Sequence, residues 1–173
     1  MAVVSLPTAD GGVEEYEAGE PLEFVTSAAG AFPRIAYSAA HVVSDPYADC
    51  DPWLETAIDW DATIEYRRHL WSLGMGVAEA MDTAQRGMGL DWPTSLELIK
   101  RSVDAAKDFG EGALIASGAG TDHIAPDPSL TVDDIIAAYE EQCAAVEAAG
   151  GRIILMASRA LAAAAKTPDD YAK

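Results

Sequence analysis

The sequence predicts a parallel α/β domain preceded by a small β-hairpin, and three observations carry that expectation. From Arg34 onward, short apolar runs recur without polar alternation, as strands buried on both faces require. Each of the middle runs is followed by a stretch of helical period that opens on a capping acid or hydroxyl. The strand-plus-helix unit returns about every 35 to 40 residues, the rhythm of parallel strands joined by helical crossovers.

The elements follow in order. Residues 1–33 form an arm in which residues 3–6 and 13–16 read as strands around the turn Ala9-Asp10-Gly11-Gly12, with Pro33 closing the segment. Residues 34–173 form the second unit, and its first strand is expected over residues 35–40. An Asp- and Pro-rich loop follows, and then Asp59 caps a helix with Trp60, Ile64 and Trp71 on its apolar face and Gly74 at its end. Residues 77–81 are the second strand. Asp91-Trp92-Pro93 opens a helix that carries Leu96, Ile99, Val103 and Ala106 on one face, with Gly110 beyond it.

Residues 113–116 are the third strand. Thr131 and Asp134 read as a capping box, with an aspartate in place of the usual Glu or Gln. Their helix carries Ile135, Tyr139, Cys143 and Val146, and it stops at Gly150-Gly151. Residues 152–156 are the fourth strand. Thr167-Pro168-Asp169-Asp170 has the signature of another helix start, so the chain reads as cut inside its fourth helix.

Composition bounds the partners. With 173 residues the chain has room for one ordinary domain and is short of the roughly 250 residues of a barrel enzyme. An apolar share of 50% with 23% charged residues suits a chain with a real core. Twenty-nine acidic against 11 basic residues give a net charge of −18, which repels phosphate backbones and anionic lipid. Nucleic acid and membrane are therefore not expected as partners. No basic segment followed by an apolar run opens the chain, and no run approaches a membrane span. Cys50 and Cys143 lie outside any metal or redox spacing, so a cytoplasmic location is expected and no cofactor is implied.

The runs Ile58-Asp59-Trp60-Asp61-Ala62, Asp82-Thr83-Ala84-Gln85-Arg86-Gly87, Leu90-Asp91-Trp92 and Leu96-Glu97-Leu98-Ile99 resemble the dihydrodipicolinate synthase and N-acetylneuraminate lyase superfamily. The run from Ala80 to Gly87, together with the N-terminal hairpin, is similar to an uncharacterised branch of it. The resemblance spans residues 34–173. It implies the N-terminal half of a TIM (β/α)8 barrel, about four βα units, and a class I aldolase or lyase acting on a keto acid. The Schiff-base lysine on the sixth strand and the relay tyrosine on the fifth would both lie beyond Lys173, so this chain by itself is not expected to turn over. The superfamily's carboxylate-binding turn aligns with residues 82–86. There Thr83 is retained, while Asp82, Ala84 and Arg86 replace a glycine, a threonine and a glutamate.

In a barrel the carboxyl ends of the strands carry function, which singles out Ser38, Asp82, Thr83, Arg86 and Arg159 as substrate-binding candidates. Arg86 or Arg159 could contact an anion, while Asp82 and Arg86 could equally brace the loop as an ion pair. Glu79, a carboxylate inside an apolar run, needs a partner: it is a candidate acid or base if it faces the lumen, and a hydrogen-bonded packing residue if it faces a helix. His41 and His123, with Glu79 or Asp82, have the residue types of a metal site without its spacing. The run Ser117-Gly118-Ala119-Gly120 lacks a phosphate-loop lysine and reads as a tight turn. A non-catalytic anion-binding or scaffold barrel and a metal-dependent barrel enzyme stand as alternatives to the lyase. Unpaired sheet edges predict self-association or a homo-oligomer.

Overall fold

A computed structural model describes residues 2–24, 32–82 and 85–173. Strands β1 (Val3–Pro7) and β2 (Val13–Glu17) pair antiparallel, Val4 opposite Tyr16 and Leu6 opposite Glu14. Their turn closes through Gly11 N–H to the Thr8 carbonyl at 3.0 Å, and Gly11 takes a φ of +83° that L side chains rarely adopt. All ten strand residues are exposed.

The remaining strands form one parallel sheet in the order β3 (Tyr37–Ser38), β4 (Gly76–Glu79), β5 (Ile115–Ala119) and β6 (Ile153–Leu155). Helices α1 (Trp60–Ser72), α2 (Trp92–Phe109) and α3 (Val132–Ala148) make the crossovers, and α4 (Arg159–Ala164) follows β6. Their starts obey local chemistry. Asp59 accepts the Ala62 N–H, Asp91 accepts the Thr94 N–H, and Thr131 and Asp134 cap each other reciprocally. Helices α1, α2 and α3 each pack on the strands and on the next helix in sequence, which places the three on one face of the sheet, and α4 packs against α3.

The core lies between that face and the helices. Val77 packs with Leu70, Trp71, Ala105 and Ala106, and beside them Leu98, Ile99, Val103 and Val146 close over Ala80. Full burial of a Leu or Ile side chain is worth about 1.5–3 kcal/mol, so α2, with both Leu98 and Ile99 sealed, is the main apolar anchor. Among the described residues no helix is long and apolar enough to cross a membrane.

Several elements differ from their sequence reading. β3 keeps two paired residues where six were expected, because it is an edge strand bonded on one side, and Ile35 stays exposed. β4 begins one residue early, and β5 begins later and runs further. The helix α4, capped by Ser158 through the Leu161 N–H, was not anticipated. At Thr167 the expected helix start is a 3-10 turn, Pro168–Tyr171, with its own capping box.

Candidate functional site

Two polar clusters sit at the carboxyl ends of the strands. The inner one is built on Glu79, the last residue of β4. By strand alternation Glu79 shares the helix-facing side with Val77, and there it meets Arg67 of α1. The guanidinium spans the carboxylate, Nε to Oε2 and Nη2 to Oε1, both at 2.9 Å, and both side chains are fully buried. Ser102 of α2 donates to Oε2 at 2.6 Å, and the Ala80 N–H donates to Oε1 at 3.1 Å. Arg67 Nη1 also donates to the His41 carbonyl at 2.7 Å, while Nη2 reaches the Ala40 carbonyl at 3.3 Å. Gln85 donates to that same Ala40 carbonyl. Glu79 therefore faces two helices and the β3 loop.

The outer cluster is built on Arg86. Its Nε donates to the Ala80 carbonyl at 2.8 Å, Nη2 to the Gly118 carbonyl at 2.5 Å, and Nη1 to Asp122 at 2.8 Å and Gln142 at 2.6 Å. The guanidinium also lies 4.9 Å from the Trp92 ring centroid. Gln142 completes the knot, accepting from the Gly120 N–H at 2.8 Å and donating to Asp122 at 3.0 Å. Burial pulls the Arg86 guanidinium below its ordinary value, against the opposing charge of Asp122. Burial alone would raise the Asp122 carboxyl. The Gln142 hydrogen bond and the Arg86 charge outweigh it and hold that carboxyl below its usual range.

Backbone geometry makes this closeness possible. Ala80 has a φ of +52°, unusual for a residue with a side chain, and its carbonyl is the one that Arg86 binds. A Cβ at Gly118 would sit 2.7 Å from that carbonyl and 2.7 Å from the Met156 sulfur, so only glycine lets β5 approach.

Two clefts open above these clusters. One, of about 630 Å³, is lined by Asp82, Thr121, Asp122, Met156, Ser158 and Arg159 among others. The second, of about 620 Å³, is lined by Ala39, His41, Met81, Asp82, Leu155, Met156 and Ala157. Asp82, Met156 and Ala157 belong to both, so the two hollows adjoin along one wall. Thr121 and Ser158 share a hydrogen bond of 2.5 Å in the first cleft. Behind them the Tyr139 hydroxyl donates to the Met156 carbonyl at 2.6 Å. Burial raises that phenol, and the Ser158 hydroxyl opposes the rise.

The residues singled out from sequence fall in different places. Arg159 and Asp82 line the first cleft, and Asp82 also lines the second with His41. Arg86 and Glu79 are buried beneath them, and Ser38 is half-buried in β3. Thr83 lies outside the described residues. His123 packs against Gln142 at 2.8 Å, and its Nε2 lies 3.3 Å from Glu141 without hydrogen-bond geometry. Among the described residues no three His, Cys, Asp or Glu side chains are grouped to hold a metal ion.

Gln85, Thr121 and Asp122 fall in the strand-end stretches 79–86 and 117–123 that the sequence singles out, without a role of their own, and sequence reasoning missed Arg67 and Gln142. Arg67 alone left a trace: it stands between Thr63 and Leu70 or Trp71 on the buried stripe of α1.

A family model matches residues 4–173. The chain belongs to DUF993, a family of proteins of unknown function. No curated protein matches this DUF993 chain.

Proposed function

We propose that this DUF993 chain is one side of a (β/α)8 barrel, the N-terminal half of a class I aldolase-type lyase that binds a small keto acid. The observation that carries the reading is the pair of adjoining clefts at the carboxyl ends of parallel strands, where barrel enzymes place their sites. Sequential strand order with α1, α2 and α3 on one face supports a barrel over a doubly wound sheet. Strands β3 and β6 end that order, and a closed cylinder or a second copy would pair their outer edges.

Arg159 is the anion contact in this reading. It is exposed on the first cleft, and a guanidinium fork suits a carboxylate. Arg86 has four of its five N–H groups engaged within the protein, so it braces the wall that Asp122 belongs to. The covalent step would fall to a lysine outside these residues, as the superfamily resemblance implies.

The test is reduction of the complete barrel protein with borohydride in the presence of pyruvate. A mass increase matching the reduced adduct is expected, and calorimetry should show pyruvate binding to the 173-residue chain that Arg159→Ala removes. The engagement of Gln85 and Arg86 in bracing favours a second reading, a non-catalytic anion-binding barrel. Arg159-dependent binding without any adduct would select it.

A further inference from the structure

We propose that His41 is the proton-transfer group of this site, held by a buried scaffold of Arg67, Glu79 and Gln85. It would act on the keto acid proposed above, so this role rests on that reading.

A residue leaving the end of an edge strand ordinarily has a soft backbone, since few neighbours constrain it. The exit from β3 is clamped instead. The carbonyls of Ala40 and His41 both accept hydrogen bonds from Arg67, and Ala40 accepts a second from Gln85. Arg67 is fixed in turn by its two 2.9 Å bonds to Glu79, which Ser102 and the Ala80 N–H hold from the other side. Beyond the carboxylate and its own helix, the bonds that Arg67 makes go to Ala40 and His41. The network thus fixes the point where His41 leaves the sheet.

The imidazole stands exposed at the second cleft. Of the described residues lining that hollow, His41 and Asp82 are the ionisable ones, and Ala39, Met81, Leu155, Met156 and Ala157 make the wall. An apolar hollow with few, well-held polar groups is the anatomy of a small-molecule site. Imidazole is the side chain suited to giving and taking a proton near neutrality. The role requires the keto acid to lie across Asp82 and Met156, which both clefts share, with its carboxylate at Arg159 and the carbon next to the keto group at His41. In the step, the C–H bond breaks and an N–H bond forms on the imidazole. The electron pair passes into the carbon–carbon bond as the carbonyl π pair moves to oxygen, and the reverse step restores the ketone.

The test is proton exchange into pyruvate, followed in heavy water with the complete barrel protein. Loss of the pyruvate methyl signal by NMR should be faster with the protein than in buffer. His41→Gln should slow it by about a hundredfold, the span general acid–base catalysis commonly covers. His69→Gln, on the exposed face of α1, should leave it unchanged. Arg67→Lys keeps the charge and loses the fork, and it should lower kcat for exchange at constant KM. If that variant does not fold, Gln85→Ala should give the same split.

Exchange that persists in His41→Gln overturns the role of His41, as does Arg159-dependent pyruvate binding with no exchange above buffer. Neither of these results touches the binding reading. Absence of both binding and exchange overturns the two together. Loss of exchange in His41→Gln with KM rising in place of kcat falling in Arg67→Lys or Gln85→Ala overturns the positioning scaffold.

Discussion

Arg67 and Arg86 are both buried, both paired with a carboxylate and both bonded to main-chain carbonyls at strand ends, yet their surroundings differ. The partner of Arg67, Glu79, is sealed between the sheet and two helices at 0% exposure. The partner of Arg86, Asp122, is 23% exposed and lines a cleft. Arg67 ties α1 to the strand exits of β3 and β4. Arg86 ties together the loops after β4 and β5, with Gln142 of α3 as the third leg and the Trp92 ring beneath. The contrast separates two uses of one ion pair. The sealed pair sets the spacing of layers, and the rim pair sets the shape of the wall a ligand would touch.

The sharpest way to break the contrast is Arg67→Met, which strands the Glu79 carboxylate without its cation. It should cost about 3–5 kcal/mol in urea denaturation, and Arg67→Met with Glu79→Leu should recover most of that loss. A single variant within about 1 kcal/mol of wild type would show that the sealed pair holds nothing the rim pair does not. Arg86→Lys is the smaller change. It keeps the charge and loses the planar fork that serves Ala80, Gly118, Asp122 and Gln142 together, for a cost of about 1–3 kcal/mol from acceptors left unmet.

The smallest effect is in acid. Asp122 is held below the ordinary carboxyl value, so near that value the folded state binds fewer protons than the unfolded one. Its stabilisation is complete above about pH 4 and fades as pH falls through the lower folded value. Melting temperatures between about pH 5 and 3 should therefore fall less steeply for Asp122→Asn than for wild type. Parallel slopes would remove Asp122 from the acid response.

Much of the frame was legible because it is written in local chemistry. Asp59, Asp91 and the Thr131–Asp134 box each act within one helical turn, and the continuous runs around Val77 and Ile115 mark strands that the helices then cover. The two clusters were only partly legible. Glu79 is recognisable as a carboxylate in need of a partner. Its partner lies 12 residues away on α1, where a place on the buried stripe is the one trace that Arg67 leaves in the sequence. Arg86 joins Asp122 and Gln142 across 36 and 56 residues, distances over which no spacing rule operates. The extent of β3 escaped for a related reason: pairing at an edge depends on the neighbour, and Ile35 has the composition of a strand without the partner.

The hairpin of β1 and β2 has a consequence for any measurement on the body. A lone two-stranded ribbon is marginal in water, and this one keeps every strand residue accessible in the native state. Its melting exposes little new surface, so the denaturant sensitivity of the chain reports the sheet and its helices alone. Amides of residues 3–17 should then trade hydrogen for deuterium by local opening, on a clock independent of the interior.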